Sequence, residues 1–317
     1  MAKENTAPVL TVSAPPHWHS GRTIPRYMQD TLLALLPAAI MAIYYYGFDA
    51  LQVMALSCAT AVVAEAVSCR VMGRECAVHD MNALVLGLIF AFIMPANSPW
   101  WLVMVGVGIA VVMGKMMFGG LGSAPMAAAL VGWAVIKISW WDHMLIYSNM
   151  IQIDLVSPLS QLKFFGLEAA QQVSYMDMLI GAQKGPLGAV QVLPLLLGAA
   201  WMYFRGWMKL YIPVGFLLGV AGMAAIYWAI NPEVYADPLF HLLAGSTIFG
   251  AFFLSVDPSS SPVGKSSMIL FGLLAGVMVM IIRIYGRYPD GVMFAVLFAN
   301  LFAPLLDMIK PKPFGAR

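Results

Sequence analysis

Charge is what this chain has least of. Asp, Glu, Lys and Arg together supply 10% of its 317 residues, against roughly 25% in soluble domains, so a water-facing surface cannot be built from it. The formal net charge is only +2, and no basic stretch is interleaved with aromatics, which argues against a nucleic-acid surface. Cysteine is equally scarce: Cys58 lies inside an apolar run, and Cys69 and Cys76 lie at or just beyond its end. No CxxC pair occurs, and three separated thiols do not supply the four ligands of a structural zinc or an iron–sulfur cluster. His17 and His19 flank Trp18, but a lone HxH pair does not make a metal centre, and none is expected. No Ser/His/Asp or Cys/His arrangement that would activate a nucleophile is legible. Threonine is confined to positions 6, 11, 23, 31, 60 and 247.

Apolar residues, by contrast, make up 61% of the chain. A bilayer crossing takes about 20 mostly apolar residues, and such runs recur at 28–48, 50–69, 82–95, 100–118, 123–140, 190–204, 210–230, 238–256, 266–286 and 292–309. The pattern predicts an all-α polytopic membrane protein of about ten transmembrane helices. Several runs are short and broken by Gly or Pro, as in helices packed inside a transporter-like bundle. The expected organisation is a tail at 1–27, a membrane domain at 28–309 and a tail at 310–317. The membrane domain divides into a first half at 28–140, a loop at 141–189 and a second half at 190–309. The N-terminal tail lacks an apolar core followed by a cleavage site and does not read as a signal peptide. The distribution of Lys and Arg favours both termini in the cytoplasm, with the loop at 141–189 facing outward.

Two segments echo each other at an offset of 163: GLIFAFIMPANSP from Gly87 and GAFFLSVDPSSSP from Gly250 share Gly, Phe, Pro, Ser and Pro at matching positions. Five runs separate the two copies, and an odd number inverts the second. The expected fold is therefore two inverted five-helix halves, whose interface near the membrane centre commonly binds a ligand or ion.

Intramembrane polar groups are costly and mark function by default. Glu65, Asn300 and Asp307 are the candidates for an ion path; the alternative for the two carboxylates is snorkelling to the interface or pairing with Arg70, Arg74 or Lys310. Lys115 and Arg283 end runs beside glycine-rich turns, where a cation can hold a phosphate or neutralise a reduced cofactor; interfacial anchoring explains Lys115 equally well. The turn FGGLGSAPM from Phe118 has a glycine density that admits close approach of a planar ligand or of another helix. It follows no strand and is not a dinucleotide fingerprint.

Taken together, SAPPHWHSGRTIPRYMQDTLLALLPA from Ser13, MPANSPWW from Met94, GKMMFGGLGSAP from Gly114, HLLAGSTIFGAFFLSVDPSSSPV from His241 and RIYGRYPDGVMFAVLFANLFAPLLD from Arg283 resemble the D subunit of the Rnf ion-translocating oxidoreductase complex. That family is related to the B subunit of the sodium-pumping NADH:quinone oxidoreductase. The resemblance covers nearly the whole chain. It implies a multi-pass protein of the bacterial inner membrane, in a complex that couples electron transfer between ferredoxin and NAD to translocation of sodium ions or protons. Its partners would be the other Rnf-type subunits and the lipid bilayer, with no nucleic acid. The resemblance also implies flavin. Relatives carry an FMN joined to a Thr in an SGAT-like motif before the sixth span, and a non-covalent riboflavin or FMN near the cytoplasmic side.

Two departures from the family pattern bear on those flavins. The stretch IGAQKGPLGAV from Ile180 puts Gly185 at the FMN-bearing position when aligned on Pro186 and Leu187, and Gln183 there when aligned on Gly181 and Ala182. Neither has a hydroxyl, so no covalent threonyl-FMN is expected. The family's GGLGxNPFNPA turn reads GGLGSAPMAAA from Gly119, with Ala124 and Ala127 in place of two asparagines. Lys115, Gly119, Gly122, Pro125 and Asp257 remain as the residues of a residual, non-covalent flavin pocket. The rival expectations are an inverted-repeat transporter or channel without redox chemistry, and a non-redox scaffold within such a complex; no catalytic residue is assigned.

Overall fold

The computed structural model describes residues 21–74, 78–144, 157–170 and 173–309. The expectations placed on His17, His19, Cys76 and the two chain-end tails fall wholly or mainly outside these residues.

In an apolar medium every backbone N–H and C=O must be satisfied within the chain, and the helix does this with local bonds alone. Accordingly, each apolar run folds as helix, and the described residues contain no strand. α1 spans Ile24–Tyr46, with Pro25 in its first turn, and stops at Gly47, whose φ of 63° turns the chain straight into α2, Phe48–Val71. α3 follows at Asn82–Phe92. α4 begins at Trp100–Ile109 and widens into a π-helical turn, Ala110–Lys115. α5 is Ala128–Ser139. The described residues of the loop that follows include three short α-helices, α6 Pro158–Phe165, α7 Leu167–Ala170 and α8 Tyr175–Ile180. α9 Val192–Phe204 and α10 Tyr211–Ile230 resume the apolar series. The next run is broken: α11 Pro238–Leu243 and α12 Thr247–Phe249 are separated by three residues, and α12 continues into a second π turn, Gly250–Leu254. α13 Lys265–Tyr285 and α14 Val292–Asp307 complete the bundle.

Among the described residues, five helical stretches are long and apolar enough to cross a membrane: α1, α2, α4 with its extension to Phe118, α10 and α13. Shorter apolar helices, α3, α5, α9 and α14, pack among them. The bundle is held by close backbone approach. On α10 and α13, Gly215, Gly219, Gly272 and Gly276 face each other at four-residue spacing, and a Cβ on any of them would collide with the opposite backbone. This small-xxx-small contact lets helices pack where lipid offers no hydrophobic driving force. Gly198 of α9 meets the backbone of Ala34 on α1 in the same way.

The loop at 157–191 closes one end of the bundle. Backbone N–H groups of Leu187, Gly188 and Ala189 donate to the carbonyls of Met94 and Phe92 at the end of α3, and Tyr46 Oη at the end of α1 donates to Gly185 O. The opposite end, formed by the starts of α1, α3, α5 and α13 and the α9–α10 connection, carries a cavity.

Candidate functional site

A cavity of about 590 Å³ opens at that end, within the usual size of small-molecule and cofactor sites. Its walls come from both halves of the chain. The first half supplies the start of α1, the start of α3 and the glycine turn; the second supplies the α9–α10 connection, the π turn after α12 and the turn from Val256 to Ser259.

The aromatic wall is Trp207 set against Tyr27, with ring centroids 5.5 Å apart in an edge-to-face arrangement. Besides Tyr27, two groups fix Trp207. Its indole N–H donates to Asp30 Oδ2 at 2.6 Å, the Arg22 guanidinium lies 5.1 Å from its ring centroid, and Arg22 Nη1 donates to Gly206 O at 3.1 Å. Asp30 is buried and also accepts from Arg205, whose Nε lies 3.1 Å from Oδ2. One carboxylate thus locks the α9–α10 connection onto α1.

The glycine turn also lines the cavity. Gly119, Gly120 and Gly122 have φ of 116°, 102° and 86°, values that side-chain-bearing residues adopt only with strain. Gly120, Gly122, Ala124 and Ala127 line the cavity, whereas Gly119 and Pro125 do not. The two alanines at the family's asparagine positions are both buried and line the cavity. Asn82 supplies an amide at the cavity wall, with Nδ2 at 3.7 Å from Met28 Sδ. Immediately before it, Met81 has φ of 61°, the one left-handed non-glycine residue among those described and a strained backbone of the kind that gathers at functional sites.

Lys115 reaches the cavity from the end of the π turn in α4, but its charge is already partnered: Nζ donates to Glu65 Oε1 at 2.7 Å and Oε2 at 2.8 Å, both side chains being buried. Neither Arg70 nor Arg74 is the partner of Glu65. Asp257 lines the floor and accepts from Ser259 Oγ at 2.6 Å and Ser260 Oγ at 3.3 Å. Burial raises its carboxyl pKa, while the serine bonds pull it down. Both π turns adjoin the cavity, one through Lys115 and the other through Phe252, Phe253 and Leu254; π turns are frequent at functional sites because they displace side chains from the regular ladder.

The expected ion-path residues do not meet. Glu65 belongs to Lys115, and Asp307 is exposed at the end of α14, where Oδ1 accepts the N–H of Val263 at 2.9 Å. Asn300 is buried in α14, and neither its Oδ1 nor its Nδ2 has a partner.

At the other end of the bundle, Gln183 turns inward and is spent on structure. Its Nε2 donates to Val190 O at 2.9 Å and Leu243 O at 3.0 Å, and its Oε1 accepts from Gly245 N at 3.2 Å. A Cβ on Gly185 would lie 2.5 Å from Val190 Cγ1. These residues do not fit a covalently attached flavin: position 183 points into the protein, position 185 has no room for a side chain without a shift, and no hydroxyl is present.

Fold and cavity together define an apolar helical membrane protein with a small-molecule-sized pocket lined by residues from both early and late in the chain. The chain belongs to the NQR2, RnfD, RnfE family, whose model matches residues 11–315. It is 33% identical to proteins named as the D subunit of the ion-translocating oxidoreductase complex from Salmonella typhimurium, Salmonella typhi and Salmonella choleraesuis, over 98% of this chain and 99% of each relative.

Sequence reasoning found Lys115, Gly122 and Asp257 among the lining residues but not Tyr27, Asn82 or Trp207. A single Trp in the short connection after Arg205 and Gly206 carries no periodic signal, and only tertiary packing turns it over the cavity.

Proposed function

We propose that this chain is the D subunit of a Rnf-type complex in the bacterial inner membrane, where electron transfer between ferredoxin and NAD is coupled to translocation of sodium ions or protons. Within it, the cavity under Trp207 holds the ring system of a non-covalent flavin, riboflavin or FMN. The observation that carries the ligand assignment is the cavity itself: an aromatic edge, a glycine turn that brings backbone close, and a few polar groups at Asn82, Asp257 and Ser259. A bound flavin supplies one- and two-electron chemistry. The chain's own residues orient it, exclude water with apolar walls, and keep the local charge near neutral through the Glu65–Lys115 pair. Gln183 and Gly185 provide no attachment for a second, covalent flavin.

In this reading the membrane domain has ten spans in two inverted halves. Its support is the register: α10 begins 163 residues after α2, α14 begins 164 after α5, and α13 begins 165 after α4. Equivalent helices also meet, α1 on α9 and α5 on α14. Arg22, Arg26, Arg70, Arg205, Lys209 and Lys265 all lie at the cavity end, which the positive-inside rule assigns to the cytoplasm.

The test is to purify the intact complex, denature it, inspect the gel band of this chain for flavin fluorescence, and identify any flavin released. The expected result is a dark band and a released flavin that falls on substitution of cavity residues. A fluorescent band overturns the covalent part. An intact complex whose released flavin is insensitive to Trp207→Ala overturns the cavity assignment and leaves a scaffold or transporter role.

A further inference from the structure

Between α11 and α12 the helical ladder is interrupted at Ala244, Gly245 and Ser246: Ala244 N still donates to Phe240 O and Ser246 O still accepts from Gly250 N, but the N–H groups of Gly245 and Ser246 have no helical acceptor; Ala244 and Ser246 are fully buried, and Gly245 has φ of 68°. Exposed backbone at that depth must find partners inside the protein. The N–H groups find them in side chains: Gly245 N donates to Gln183 and Ser246 N to Asp290 Oδ2, the latter at 2.9 Å. The freed oxygens converge on one positive charge. Arg283 Nη1 donates to His241 O at 2.8 Å, and Nη2 donates to Ala244 O at 3.1 Å and Thr247 Oγ1 at 2.8 Å, with Asp290 Oδ1 at 3.4 Å.

Two carbonyls from an unwound helix, a threonine hydroxyl and a carboxylate form the type of donor set by which discontinuous membrane helices hold small monovalent cations. Here a guanidinium fills it, and fills it imperfectly. Arg283 is 5% exposed, yet its Nε–H has no acceptor, and Nδ1 of His241, 4% exposed, has no partner either. A helix cap alone does not require a carboxylate and a hydroxyl to join the carbonyls.

We propose that the α11–α12 break is a binding site for a small monovalent inorganic cation of sodium size, which Arg283 occupies from within the chain as a tethered competitor. A free ion enters only as the guanidinium withdraws, so the site exchanges one positive charge for another and Asp290 stays paired throughout. The site stands apart from the flavin cavity. Its place in ion translocation rests on the proposed complex, whereas its existence does not, and the following experiment reads the site alone.

The full-length chain in detergent is heated in sodium chloride, in low-millimolar guanidinium chloride and in choline chloride at matched ionic strength, and its unfolding midpoint is followed for wild type, Arg283→Ala, Arg283→Lys and Arg283→Ala/Asp290→Asn. Wild type and Arg283→Lys, each with its own tethered charge, are expected to have the same midpoint in all three salts. Arg283→Ala is expected to fall by several degrees in choline and to regain at least half of the loss in sodium and in guanidinium. The double variant is expected to regain none. Radiolabelled sodium should bind the Arg283→Ala chain at one saturable site, and bind the wild type there at least tenfold more weakly because the tethered guanidinium competes. An Arg283→Ala chain that gains no more from sodium or guanidinium than wild type does, or that stays unfolded in all three salts, shows a structural cap only and overturns the proposal. Equal recovery in the double variant also overturns it.

Discussion

The ammonium of Lys115 lies 2.7 and 2.8 Å from the two carboxylate oxygens of Glu65, with side-chain exposures of 5% and 3%. Two groups that read in the sequence as separate functional candidates are one neutral unit on the cavity wall. Removing one partner of a buried pair leaves an unpaired charge and costs about 3–5 kcal/mol, whereas replacing both by apolar groups is often neutral. Lys115→Met and Glu65→Leu should each lower the unfolding midpoint sharply in detergent, and the double variant should regain most of the loss. A double variant as unstable as the worse single one refutes the coupling.

Trp207 depends on Asp30. Asp30→Asn weakens charge-assisted bonds to the indole N–H and to Arg205, and such bonds are roughly twice as strong as neutral ones. The cavity wall loosens without losing the ring itself. Flavin recovered with the purified complex is expected to fall severalfold in Trp207→Ala and less in Asp30→Asn, while helix content by circular dichroism stays unchanged.

Gln183 ties the loop to the helix break. Gln183→Ala leaves Gly245 N–H and the carbonyls of Val190 and Leu243 without this amide, at about 1–3 kcal/mol for each group left unsatisfied. The expected outcome is a lower midpoint and earlier proteolysis in the loop. Gln183→Thr should still give a dark gel band, because the side chain at this position points inward.

Glycines on α10 separate by what they touch. Gly219 faces the backbone of α13, with Leu273 O 2.7 Å from where a Cβ would sit, while nothing lies within 4 Å of a Cβ on Gly222. Gly219→Val should abolish the monodisperse peak in size-exclusion chromatography, and Gly222→Ala should leave it intact.

Asp257 gives a dependence on pH. Because burial raises its carboxyl pKa in the folded state, its contribution to stability is fully present below the unfolded carboxyl pKa and is lost as pH rises through the folded value. Asp257→Asn keeps the volume and removes the ionisation. Relative to wild type, the variant should gain stability as pH rises from acid to neutral, and the difference should flatten above the folded pKa. A difference independent of pH across the acid range would exclude this ionisation as its source.

Hydropathy and charge scarcity determined the helical class and the position of each apolar run. Those properties are local or periodic, and a bilayer makes them decisive because long continuous apolar runs can satisfy their backbone there as helices, the alternative of a closed barrel needing short alternating strands. Lys115 and Gly122 stand out in the sequence as a charge at the end of an apolar run and a glycine in the turn that follows it, whereas Asp257 is singled out only by the family resemblance. What only the tertiary structure decided is pairing: Glu65 with Lys115 rather than Arg70, Asp30 with Trp207 across 177 residues of chain, and Gln183 and Arg283 with the unwound backbone between α11 and α12. Each joins polar groups far apart in sequence, and in an apolar interior the partner is set by which helices pack together, information that no single run contains.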